Sequence, residues 1–151
     1  IVETNRNFNT ISLIEVLEHL TDPHLLLKAF KKSHAKYLYI SVPLFSLSVF
    51  LENSFDNIFP RQLSGGHTHL YTEKSLNFMA KKYNLKIIGE WWFGSDLPDL
   101  YRSLMNSGKI LNKDIYIKEI NKKLFSVLDD LQSVLDKKKI CSEVHMIFKK
   151  K

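Results

Sequence analysis

ISLIEVLEHLTDP, residues 11–23, changes character halfway along. Ile11, Leu13 and Ile14 around Ser12 form an apolar run of the kind a buried parallel strand requires. At Glu15 polar residues take over. Glu15, Glu18 and His19 stand at i, i+3 and i+4, so one helical turn beginning at the strand end would set two carboxylates and an imidazole on one face. The same three residues would equally serve as solvated decoration of a short exposed turn. Asp22 has the chemistry of a helix N-cap and Pro23 that of a first helical residue, so a second helical segment is expected at once. A strand that ends in polar groups and turns into a helix is how open α/β sheets build ligand crevices.

Downstream, residues 23–34 have Leu26, Leu27 and Phe30 on one side and Lys28, Lys31 and Lys32 on the other, an amphipathic helix. YLYISV, residues 37–42, is a β-rich run stopped by Pro43. Strand, helix and strand over about thirty residues make a βαβ unit with parallel strands, and the fold class is α/β. Residues 44–66 interrupt the alternation: Leu47, Phe50, Leu51 and Phe55 have helical spacing, and an irregular segment through Ile58, Phe59 and Pro60 follows. This apolar insertion has three readings, a lid, core packing or a contact with a second copy. Gly65 and Gly66 mark a turn, Thr72 caps a helix with Leu76, Met79, Ala80 and Tyr83 inward, and Asn84 suits the left-handed position that ends it. LKIIGEWWF, residues 85–93, reads as a third strand. A helix is expected from Asp96 to Ser107, stopped by Gly108, and a longer one from Asp114 through Ile120, Leu124, Leu128, Leu131 and Leu135. Residues 141–149 alternate, with Val144, Met146 and Phe148 on one face, as a last strand closing against the third. The expectation is one domain over residues 1–151, with insertions at 44–66 and 95–139.

The totals exclude several classes. With 44% hydrophobic and 25% charged residues the chain is of globular type. The net charge of +6 owes much to Lys137, Lys138 and Lys139 and to Lys149, Lys150 and Lys151; the rest is near neutral, which argues against nucleic acid as partner. Cys141 stands alone, so no internal disulfide is possible, and no apolar run approaches the ~20 residues of a membrane span. A cytoplasmic location is the default expectation. Opening at Ile1 and reaching a buried-strand pattern within about ten residues is what a truncated or processed product would look like.

In order, ISLIEVLEHLTDP at a strand end, a helix, a strand closing in SVP, HTHLYTEKSL and a hydrophobic strand resemble the second half of the class I S-adenosylmethionine-dependent methyltransferases. The likeness covers residues 8–93, and residues 144–148 resemble that fold's last, antiparallel strand. It implies a Rossmann-like, mostly parallel sheet with helices on both faces. It places Ile14, Glu15 and Val16 beside the cofactor S-adenosylmethionine, and the HLYTEKSL segment toward the substrate. That fold's glycine-rich first turn has no counterpart: Gly65, Gly66, Gly89, Gly94 and Gly108 make no GxGxG run. The chain therefore reads as the carboxyl-terminal half of such an enzyme, with poor cofactor affinity of its own.

Methyl transfer is an in-line displacement at a sulfonium, so the protein must align donor and acceptor and, for a hydroxyl, remove a proton. His69, His19 and Glu15 are the catalytic candidates, since imidazole and carboxylate suit that task. Small-RNA 2′-O-methyltransferases and ubiquinone-pathway O-methyltransferases carry E-x-x-E-H here as Mg²⁺ ligands, and the resemblance extends that set to Glu15, Glu18, His19 and His69. Phe45, His67, Trp91 and Trp92 are candidates for the substrate wall. The expected acceptor is a small molecule such as a sugar or lipid-linked intermediate, with O-methylation the expected reaction. The competing expectations are a Mg-dependent RNA 2′-O-methyltransferase relative and a non-catalytic half domain that self-associates through an exposed sheet edge.

Overall fold

The computed structural model describes residues 8–55, 61–63 and 66–151. Ile58, Phe59, Pro60 and Gly65, and the chain's first seven residues, lie outside them. The chain divides into two compact units, one of Ile1–Leu44, Gly66–Trp91 and Glu143–Lys151, the other of Phe45–Gly65 and Trp92–Ser142.

The first unit is built on a four-stranded sheet. Strand β1 (Thr10–Ile14) pairs in parallel with β2 (Tyr37–Pro43), with Leu13 opposite Ile40. β2 pairs antiparallel with β4 (Glu143–Lys150), so that Leu38 meets Phe148, Ile40 meets Met146 and Val42 meets Val144. The strand order is β1-β2-β4-β3, where β3 is Leu85–Phe93. The fold is α/β, with the parallel start that the strand-helix-strand order predicts and the antiparallel last strand that the resemblance implies. Leu38, Ile40, Val42, Val144, Met146 and Phe148 share one face and are fully buried. At about 1.5–3 kcal/mol per buried side chain, this face is the chief local source of stability.

Helix α1 (Pro23–Lys32) starts where the sequence signals it: the Asp22 carboxylate accepts from His24 N at 2.9 Å and Pro23 occupies the first turn. Leu27 and Phe30 are its buried side chains. Helix α3 (Glu73–Lys82) opens on a reciprocal cap in which Ser75 N donates to Thr72 Oγ1 at 3.1 Å and Thr72 N donates to Ser75 Oγ at 2.9 Å. Leu76, Met79, Ala80 and Tyr83 are buried, and Asn84 (φ 53°) ends the helix in the left-handed region.

The second unit is helical: α2 (Leu47–Ser54), α4 (Asp96–Ile110), α5 (Asp114–Leu124) and α6 (Leu128–Lys137). Two expectations fail here. Helix α4 continues past Gly108, because Gly108 lies where α5 comes close: a Cβ there would sit 2.6 Å from Ile117 Cγ1. Glycine in this helix is a contact point, not a stop. The long helix expected from Asp114 is broken by a 3₁₀ turn at Phe125–Val127. Ser126 and the β-branched Val127 are weak helix formers.

Candidate functional site

The left-handed backbone of Glu15 (φ 52°) swings the chain out of β1 and ends the strand, while its N–H donates to Ser41 O at 3.1 Å. A non-glycine residue in this region is strained by roughly 1–2 kcal/mol. The single turn that follows is 3₁₀ and spans only Leu17–His19. Glu15 is thus outside the turn, exposed, and does not share a helical face with Glu18 and His19 as i, i+3, i+4 spacing predicted.

Glu18 is fully buried, and neither carboxylate oxygen has a hydrogen-bond partner among the described residues. Burial pushes its carboxyl pKa above the usual carboxylate range, and the nearby charge of Glu15 adds to this; its own backbone N–H, His19 and His67 act against it. Leaving an ionisable group so placed costs stability.

The loop after residue 65 closes over Glu18. Thr68 N and His69 N donate to Glu18 O at 2.7 and 3.2 Å, and Thr68 Oγ1 lies 2.9 Å from both Glu18 O and Leu20 O. Tyr71 N donates to Pro43 O at 3.1 Å, and the buried Tyr71 hydroxyl donates to Leu17 O at 3.3 Å. Burial and the Glu18 carboxylate raise the Tyr71 pKa to about 12.

Through this clamp Glu18, His19 and His67 come together, each offering a ligand atom within 4.8 Å of the others. The two imidazole rings meet edge to face at 4.8 Å between centroids. His19 Nδ1 lies 3.3 Å from Gly66 O. A carbonyl only accepts, so Nδ1 carries a hydrogen, and Nε2 is the ring nitrogen turned toward Glu18, 4.0 Å from Oε1. One carboxylate and two imidazoles in reach of each other, with the carboxylate otherwise unsatisfied, fit a divalent cation, and the nitrogen content suits Mn²⁺ or Zn²⁺ better than Mg²⁺.

His69, which the resemblance placed among the ligands, is not one of the three residues in this cluster. Its Nδ1 is 2.8 Å from Thr68 Oγ1 and its ring stacks with Tyr71 at 6.3 Å. Where the Thr68 hydroxyl donates to a carbonyl, its bond to His69 must run from Nδ1–H. His67, expected only at the substrate wall, takes the position beside Glu18. Ile14 is exposed and Val16 half-buried at the end of β1.

Trp91 is 63% exposed and Trp92 8%, so one of the adjacent pair faces in, as strand alternation requires. Trp91 packs edge-on to His145 at 5.3 Å, and Tyr39 OH is 2.6 Å from His145 Nδ1. With Gly89, Glu90 and Ile147 they line a cavity of about 370 Å³, of whose lining the sequence singles out Trp91 alone. Phe45 and Trp92 belong to the other unit, where Phe45 meets Phe50 at 5.5 Å and Lys139 Nζ lies 5.0 Å from the Trp92 ring.

Residues 2–90 match the family model described as a methyltransferase domain. No curated protein matches the chain significantly. Among solved structures it is similar to the small RNA methyltransferase HEN1, at 14% identity and a TM-score of 0.51, over 99% of this chain and 15% of that one. It is similar also to the methyltransferase domain of a bacterial protein, CtHen1, at 17% identity and a TM-score of 0.45, over 95% of this chain and 53% of that one. The chain thus spans about half the length of the second of these structures and far less of the first. At such identity the first likeness speaks for the fold alone.

Proposed function

Because the chain belongs to the methyltransferase-domain family, we propose that it is the acceptor-side part of an S-adenosylmethionine-dependent O-methyltransferase whose cation site is Glu18, His19 and His67. The acceptor in this reading is a small hydroxylated molecule, such as a sugar or a lipid-linked intermediate. The observation that carries it is Glu18, a fully buried carboxylate with both oxygens unsatisfied and two imidazoles beside it.

When bound, a divalent cation there would lower the pKa of an acceptor hydroxyl. The protein's own residues supply the rest. Gly66 O holds His19 in the tautomer that presents Nε2, and the bonds from Thr68 and His69 to Glu18 O keep the loop that carries His67 in register. His69 Nε2 and the exposed Glu15 carboxylate are the groups available to take up the acceptor proton. Ile14, Glu15 and Val16, at the strand end, are assigned to the methionine part of the cofactor, and Trp91 to the acceptor wall. The glycine-rich turn that cradles the rest of the cofactor is assigned to sequence outside these residues, because no GxGxG run occurs within them.

Calorimetric titration of MnCl₂ into the chain is the test. Saturable binding is expected for the wild type and for His69→Ala, with affinity at least about tenfold lower for Glu18→Gln and His67→Ala. Absence of saturable binding, or equal affinity in Glu18→Gln, removes the cation from the account. Titration with S-adenosylhomocysteine addresses the family reading separately: weak binding that strengthens once upstream sequence is added supports it, and no binding with that sequence present sinks it.

A further inference from the structure

The residues KILNKDIY, 109–116, join α4 to α5 as the turn of a helical hairpin, reversed at Asn112 in the left-handed conformation (φ 53°). The body of the hairpin makes apolar contact between its two helices. Gly108 abuts Ile117, and Ile117, Ile120 and Leu124 are half-buried. Its end is exposed. Ile110, Leu111, Ile115 and Tyr116 are 56, 61, 77 and 67% exposed, four large apolar side chains within seven residues. Single exposed apolar residues are ordinary, but a contiguous group signals a partner.

The charges around them indicate which kind. The stretch 108–124 carries five lysines, Lys109, Lys113, Lys118, Lys122 and Lys123, against two acidic residues, Asp114 and Glu119, and Lys113 Nζ stands 5.8 Å from the Tyr116 ring. We propose that this hairpin end docks on an anionic lipid surface, with Ile110, Leu111 and Ile115 entering the acyl boundary, Tyr116 at headgroup depth and the lysines beside lipid phosphates. Aliphatic tips ringed by lysine, with an amphipathic tyrosine, have the composition of interfacial membrane anchors. A single-stranded nucleic acid would call for aromatic stacking platforms, which Ile and Leu cannot supply. A second copy would bring a like-charged lysine ring against the first. No helix among the described residues is long and apolar enough to cross a membrane. This inference goes beyond the methyl-transfer reading and holds or falls without it.

Co-sedimentation of the full chain with phosphatidylcholine vesicles, with and without phosphatidylglycerol, tests it. Binding is expected only to the anionic vesicles and to weaken with added salt. I110D/L111D is expected to reduce it at least about tenfold, and K109E/K113E by a similar factor. Both pairs are exposed, so melting followed by circular dichroism should be unchanged. Should I110D/L111D unfold, L111W in the otherwise unaltered chain is expected to be quenched by brominated lipid. Any of four results overturns the proposal: no binding to anionic vesicles, equal binding by the folded variants, no quenching of L111W, or self-association or oligonucleotide binding through this end without lipid binding.

Discussion

Tyr71 shows how a single side chain ties the candidate site to the fold. Its phenol is buried, donates to Leu17 O and has its pKa raised to about 12 by burial and by Glu18. Below about pH 10 the group is neutral in both the folded and the unfolded chain. Between there and about 12 the unfolded tyrosine ionises while the folded one keeps its proton, so stability falls as pH rises across that window. Tyr71→Phe is expected to lose about 1 kcal/mol at neutral pH, with the lost hydrogen bond, and to flatten the decline above pH 10 in urea melts. Residue chemistry was legible at Asp22, Thr72 and Asn84, whose caps and left-handed turn form as their types require. It was not legible at His67 and His69. Two histidines two apart differ only in the register of an extended loop, and that register is held by bonds to Glu18 O from a distant part of the chain.

Among the elements, the helix ends of the second unit rest on contacts between segments far apart in sequence. Fully buried Asp96 accepts at Oδ1 from Ser46 Oγ (2.6 Å), Ser48 N (3.0 Å) and Ser48 Oγ (3.0 Å), so one carboxylate at the start of α4 satisfies the start of α2. Asp99 lies 3.3 Å from Arg61 Nη2 and 3.2 Å from Arg102 Nη1. The hairpin of α4 and α5 turns on Gly108. Gly108→Ala would gain roughly 1 kcal/mol of helix propensity yet press its Cβ on the Ile117 side chain at an overpacking cost of about 1–3 kcal/mol, so a net loss of up to about 2 kcal/mol is expected. Ile117→Ala in the same chain should recover much of that loss, so a double-mutant cycle by thermal melting would show strong coupling. Independent effects would mean that the close approach is not what glycine is there for.

At the scale of the whole molecule, apolar burial is uneven across the sheet. Ile40 is fully buried on the central strand β2, between Leu13 on β1 and Met146 on β4, whereas Ile147, on the opposite face of β4, is 37% exposed. Ile40→Ala is expected to cost about 2–5 kcal/mol and Ile147→Ala less than about 1.5 kcal/mol, by denaturant midpoints at unchanged slope. Comparable losses would show that both faces carry equal shares of the core. The strands, the parallel βαβ start and most helix boundaries were written into the chain, because apolar period, caps and turn residues act over a few neighbours. Folding in three dimensions decided that Glu18 is buried beside His19 and His67, that α4 runs through Gly108, and that Tyr39, Trp91 and His145 share a cavity. Each of these depends on which distant segments meet, and neither spacing nor composition carries that information.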